Sequence, residues 1–197
     1  KKLRLLLRNG YVVVIDWDDD PDHWPVLKRE DYVTFKMVHA VQTSKPELAE
    51  KINKWNPNVK VFSNMLEKLP AVDYGKKKDG LPGLRMFFGA LSREKDWAPL
   101  VDDLNRIFQT DPDFWSVSVI HDRNFFEALD LPDGRKTFCP LCSHANYLNE
   151  MSACDFAFLP LLDTPFNHFK SDLKLVEAAS CGLASLASNV VYGETIQ

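Results

Sequence analysis

Four groups of residues carry chemistry by type and spacing. The first is Gly-Ala-Leu-Ser-Arg-Glu-Lys at 89–95. A strand-like apolar run ends at Gly89 and a helical pattern begins a few residues later. A helix start offers free backbone N–H groups and the positive end of a dipole. Gly89 permits close approach to the backbone, and Arg93 and Lys95 add charge. The set suits a phosphate. It equally suits a tight strand-to-helix turn with solvated charges, because a single glycine is not a G-x-G-x-x-G fingerprint.

The second group lies at 166–177, where Lys170, Lys174 and Glu177 stand at i, i+4 and i+7. A helix running back through Ser171 to Lys170 would present all three on one face near its start. Two ammonium groups there suit a diphosphate, and a carboxylate accepts two hydrogen bonds from a ribose diol. The plain alternative is a solvated face with a Lys174–Glu177 pair worth only tenths of a kcal/mol. Leu173, Leu175, Val176, Ala178 and Ala179 favour the ligand. They wrap the helix in apolar surface, and charges on a buried helix need partners.

The third group is the acidic run Asp16-Trp17-Asp18-Asp19-Asp20, with a D-x-D at Asp18 and Asp20. Hard cations bind such carboxylates. The pattern is short and common, however, and an acidic loop at a strand end is the preferred reading, so no metal is expected. The fourth is the C-x-x-C of Cys139 and Cys142, half of a zinc site or a redox pair. Zinc would need Cys154, Cys181 or His144 as well. No second close pair exists, and Cys154 and Cys181 fall at helix ends. Scattered reduced thiols are favoured, which points to a cytoplasmic protein.

The elements that must position these groups alternate. Strand patterns fall at 11–15, 37–42 and 59–62, with a helix at 44–54 whose Ser44 and Glu47 have capping-box spacing. Residues 70–83 are rich in Gly, Pro and Lys and lack apolar periodicity. The expected organisation is therefore a first domain at 1–72, a linker at 73–83 and a second domain at 84–197. In the second domain strands are expected at 85–90, 115–120, 155–159 and 183–187. Helices are expected at 92–108, 144–154 and 171–181, the last capped by Ser171 and closed by Gly182. Trp97, Leu100, Val101, Leu104, Ile107 and Phe108 trace one helical face. The fold class is α/β, with Rossmann-like doubly wound parallel sheets. Ligands in such sheets sit beyond the carboxyl ends of the strands. The loops that matter are thus 89–95, 121–125 and 161–174.

The totals set bounds. The 197 residues are 45% hydrophobic and 26% charged, as in an ordinary globular protein. A net charge of −4 disfavours nucleic acid as a partner. No apolar run approaches the roughly 20 residues that span a bilayer. The basic and apolar start reads as an amphipathic helix without a cleavage site.

Residues 89–95, read with 170–182, resemble the retaining GT-B glycosyltransferases of the "glycosyl transferases group 1" type. Their C-terminal domain opens with a strand and G-R-L-x-x-x-K. Here the stretch is GALSREK, so Lys95 matches the diphosphate-binding lysine, Ala90 replaces the arginine, and Arg93 stands nearby. Their E-x7-E motif is half matched: Glu177 falls on the ribose-binding glutamate, while Phe169 takes the first position. A sub-group pattern K-S-x-x-K-x-x-E-A-A-x-x-G fits 170–182 throughout. Residues 40–64 resemble the end of the family's N-terminal domain, with Asn64 on its asparagine, and Asp16 aligns with an acceptor-side histidine.

The resemblance implies a GT-B fold whose N-terminal domain is shortened. It implies transfer of a hexose from a nucleoside diphosphate sugar to a hydroxyl of a glycan, lipid or small-molecule acceptor, with no metal or other cofactor. Gly89, Arg93, Lys95, Lys170, Ser171, Lys174 and Glu177 would hold the donor, and Asp16 would act at the reacting sugar. The rival expectation is a GT-B-like binding or assembly module that has lost catalysis, in keeping with Phe169 and Ala90. A dehydrogenase is disfavoured by the missing G-x-G-x-x-G.

Overall fold

A computed structural model describes residues 2–70 and 83–196. The expected linker at 73–83 lies outside the described residues except for Gly83. In chain order the elements are α1 (Lys2–Arg8), β1 (Val14–Asp16), α2 (Pro25–Arg29), α3 (Val33–Lys36), β2 (Ala40–Thr43), α4 (Pro46–Ile52) and β3 (Val59–Val61). After these come β4 (Leu84–Gly89), α5 (Glu94–Thr110), β5 (Trp115–Ile120), α6 (Arg123–Ala128), β6 (Lys136–Cys139) and α7 (His144–Met151). The last are β7 (Phe156–Leu159), α8 (Pro165–His168), α9 (Leu173–Ser180), β8 (Ala184–Ala187) and α10 (Asn189–Tyr192). The chain forms two compact units. One is Lys1–Met65 with Asp163–Ser171, and the other is Leu66–Leu162 with Asp172–Gln197.

The first unit holds a parallel sheet in the order β1-β2-β3. Leu27, Phe35, Val38, Val41 and Ile52 form its core, with Trp17 and Trp55 packed against them. Asn56 anchors the turn into β2. Its buried amide donates to the Phe35 and Val38 carbonyls at 2.9 and 3.0 Å. The expected capping box at Ser44 does not form. Pro46 takes the first helical position, where its fixed φ and missing N–H cost nothing, and so sets the start at Lys45. Among the described residues the buried Ser44 hydroxyl has no partner.

The second unit holds five parallel strands in the order β6-β5-β4-β7-β8. The chain winds outward from β4 through β5 to β6, then returns to the other side of β4 for β7 and β8. That reversal puts a topological switch point between β4 and β7, and the crevice past their carboxyl ends is where such sheets bind ligands. One apolar layer gathers Phe87, Ile120, Tyr147, Met151 and Leu175, and the other gathers Met86, Phe88, Trp97, Phe108, Phe125 and Phe158. The strand β6 and the helix α6 carry weak local signals and were not expected. The stripe on α5 is only part covered. Trp97, Leu104 and Phe108 are buried, whereas Leu100 and Ile107 line an open apolar hollow of about 220 Å³ over the edge strand β8. Among the described residues no helix is long and apolar enough to cross a membrane.

Candidate functional site

The carboxyl edge of the second unit's sheet carries the candidate site. Strand β4 ends at Gly89, and a turn through Ser92, whose φ is 55°, leads into α5. Arg93 is the N-cap residue but makes no side-chain cap. Its guanidinium instead pairs with the buried Asp96 carboxylate at 3.0 Å. The other oxygen of Asp96 accepts the Leu162 N–H at 2.9 Å, which ties α5 to the end of β7. Lys95, one residue into the helix, is exposed and has no side-chain partner among the described residues.

Helix α9 lies between β7 and β8 in a parallel crossover, so its start faces the same carboxyl edge as the start of α5. Its second residue is Lys174 and its fifth is Glu177. The Glu177 side chain is 4% exposed. One carboxylate oxygen meets His144 Nε2 at 2.9 Å, and the other accepts from Lys174 Nζ at 3.4 Å. Lys174 also donates to the Tyr147 hydroxyl at 2.9 Å and stands 4.1 Å from the centre of its ring. The Tyr147 hydroxyl in turn donates to the Gly89 carbonyl at 3.2 Å. Burial, and then the Glu177 charge, push the Tyr147 phenol well up, so it remains a donor.

Sequence reasoning did not single out Tyr147. It lies on α7, whose start is fixed by Ser143 accepting the Asn146 N–H at 3.3 Å. Glycine at 89 is required by that ring. A Cβ there would fall 2.5 Å from Tyr147 Cε2 and 2.8 Å from Phe87 Cζ.

His121 completes the edge. Its φ is 75°, and the Asp122 N–H donates to the Ile120 carbonyl at 3.0 Å, two residues back. This is a γ-turn of the positive-φ kind, which is rare and strained. Such a residue costs about 1–3 kcal/mol and persists only where its surroundings fix it. Here Asp122 does so: it caps α6 by accepting the Phe125 N–H and also accepts Trp97 Nε1–H, each at 3.0 Å. The His121 ring lies parallel to Tyr147, within 14° and with centroids 6.4 Å apart. Burial, then the Lys174 charge, lower its pKa, so the imidazole is neutral at neutral pH. Its loop at 121–125 was among those expected to matter, but the residue itself was not.

The remaining expected residues lie in the first unit. Asp16 ends β1, exposed and without a side-chain partner among the described residues. Lys170 ion-pairs with Asp19 and lies 4.4 Å from the centre of the Phe166 ring. Ser171 accepts from Asn64 at 2.8 Å. With its hydroxyl so engaged, Ser171 does not cap α9, which begins at Leu173 after Asp172. Lys170 therefore precedes the helix, and the expected single face of Lys170, Lys174 and Glu177 does not form. Phe169 carries Lys51 4.8 Å from its ring centre. Lys51 also bridges Asp20 and Asp22, at 2.5 and 2.8 Å. Among the described residues no three His, Cys, Asp or Glu side chains are placed to hold a metal ion. Among the described residues Cys139, Cys142, Cys154 and Cys181 form no disulfide.

No family model matches the chain, and no curated protein matches it in sequence. Solved structures do match in fold. HepE of Anabaena, in complex with UDP-glucose, is similar with a TM-score of 0.70 and 16% identity, covering 100% of this chain and 58% of that chain. WaaG, a glycosyltransferase involved in lipopolysaccharide biosynthesis, is similar with a TM-score of 0.59 and 12% identity over 98% of this chain and 64% of that one. A mutant of S. aureus TarM, in complex with Fondaparinux, alpha-GlcNAc-glycerol and UDP, gives a TM-score of 0.55 and 12% identity over 86% and 34%. The chain thus has the α/β Rossmann-like fold of the GT-B glycosyltransferases. It spans less than two thirds of the length of the proteins it matches.

Proposed function

We propose that the chain is the donor-binding part of a glycosyltransferase that moves a hexose from a nucleoside diphosphate sugar to an acceptor hydroxyl without a metal. The observation that carries this reading is Glu177. A carboxylate is almost fully buried near the start of a helix at the switch-point edge, with Lys174 beside it. A carboxylate has about four acceptor positions, and His144 and Lys174 fill two. Two remain for the adjacent hydroxyls of a ribose. Lys95 and the positive end of the α5 dipole supply positive charge for the diphosphate. Such fixed groups stabilise the charge that develops on a leaving diphosphate.

In this reading residues 84–197 hold the donor and residues 1–72 serve the acceptor, a glycan, lipid or small molecule, with Asp16 on the acceptor side. Gly89 and Arg93 shape the donor loop through Tyr147 and Asp96. Lys170 and Ser171 stand in the segment that leads into α9, the helix that carries Lys174 and Glu177. The protein works in the cytoplasm, where its thiols stay reduced.

A melting-shift panel of UDP, GDP, ADP and their hexose derivatives tests the reading. A nucleotide present at 100 times its Kd stabilises by about 2.7 kcal/mol. For a chain of this size that raises Tm by roughly 5–10 °C. No shift with any nucleotide would sink it. A second reading, an assembly module with lost catalysis, draws on Arg93 and Lys170 being engaged by Asp96 and Asp19. It expects the flat result.

A further inference from the structure

His121 stands out at the edge of β5. Its backbone holds a conformation that glycine adopts freely and other residues resist. The turn is fixed from both sides, by the fully buried Ile120 and by Asp122 with its two hydrogen bonds. Packing therefore explains the turn but not the histidine at its apex. The ring adds a second oddity: Nδ1 is shut off from solvent and has no partner among the described residues. Buried polar atoms in folded proteins are nearly always satisfied. The residue thus carries two costs, and no contact within the described residues offsets them. The imidazole lies parallel to Tyr147, near Lys174, at the sheet edge that carries Glu177.

We propose that His121 is a donor-contacting residue, its Nε2 meeting a phosphate oxygen of the nucleoside diphosphate beside Lys174. The inference rests on the nucleotide-binding reading of this site. A neutral imidazole suits the task, since it can donate one hydrogen bond without adding a second cation next to Lys174.

The test separates strain from contact. His121→Gly relieves the turn and removes the ring, and His121→Gln restores an amide at the reach of Nε2. Melting temperature and calorimetric affinity for UDP, GDP and ADP are measured for both variants and the unmodified chain. His121→Gly is expected to melt higher and to bind at least fivefold more weakly, and His121→Gln to recover affinity to within about twofold. A histidine with a purely structural role gives a His121→Gly variant that melts lower with unchanged affinity. Unchanged affinity in His121→Gly, at any melting temperature, overturns the inference alone. An unmodified chain that binds none of the three nucleotides overturns the reading of the site and the inference with it.

Discussion

The Tyr147 ring occupies the space that any side chain at position 89 would need, and its hydroxyl donates to the Gly89 carbonyl at 3.2 Å. The two residues lie 58 positions apart. Glycine at the end of β4 is therefore fixed by a partner on α7, and the same ring carries Lys174 towards Glu177.

Gly89→Ala forces the ring aside. The ring cannot swing freely, because Gly89 and Lys174 hold its hydroxyl. Overpacking of this kind costs about 1–3 kcal/mol. Urea unfolding should show that loss. Tyr147→Ala should relieve only part of that cost, because the Phe87 ring still stands 2.8 Å from the new Cβ; a double-mutant cycle measures the part that belongs to Tyr147.

Lys95→Ala and Glu177→Ala should each weaken nucleotide binding at least tenfold, about 1.4 kcal/mol. Calorimetry with the best nucleotide of the panel measures it. Unchanged affinity in both variants would count against the donor site.

His144 is 66% exposed, yet it caps the buried Glu177 carboxylate. Removing it should lower stability in the free protein, because a buried carboxylate loses a partner. A bound ribose restores that partner. His144→Ala should therefore melt lower alone and show a larger nucleotide-induced shift than the unmodified chain. A smaller shift would mean that the imidazole itself contacts the ligand.

Lys51→Met should be costly in the first unit. It strands the buried Asp20 and its neighbour Asp22 without their cation. Breaking a buried pair from one side costs about 3–5 kcal/mol. Lys36→Met, which breaks an exposed pair with Asp31, should cost under about 1 kcal/mol. Equal losses in the two variants would contradict the burial argument.

The same network sets a pH dependence with two limbs. Hydrogen bonds from Lys51 and Tyr32 hold the Asp22 carboxyl below its usual 3.8. A depressed acid contributes stability above its unfolded pKa and loses it as pH falls through the folded value. The hydrogen bond to Asp22, and then burial, raise Tyr32 from 10.0 to about 12. A raised phenol contributes below its unfolded pKa and loses that contribution as pH rises. The alkaline loss should therefore fall between pH 10 and 12. Tyr32→Phe should shrink this limb in a Tm-against-pH profile, the raised Tyr147, Tyr192 and Lys51 keeping the remainder.

Much of the frame was legible in the residues themselves. Apolar runs at 115–120 and 155–159 became β5 and β7, the periodic stretch at 92–108 became α5, and Gly182 closes α9 with a φ of 75°. These features depend on neighbours within one or two turns, which a linear pattern records. Lys174 and Glu177 are three apart on one helix, so their pairing was readable as well.

The tertiary structure decided the rest. Strand order brings α7 against β4, and so seats Tyr147 on Gly89 and His144 on Glu177 across 33 residues. It gives Lys170 to Asp19 and Ser171 to Asn64 across more than 100 positions, which moves the start of α9 past both. It also bends the chain at His121 into a turn whose residue type gives no warning. Short-range propensity fixes which segments are strands and helices. Which side chains meet is set by how parallel crossovers order those segments in a sheet, and no local spacing encodes that order.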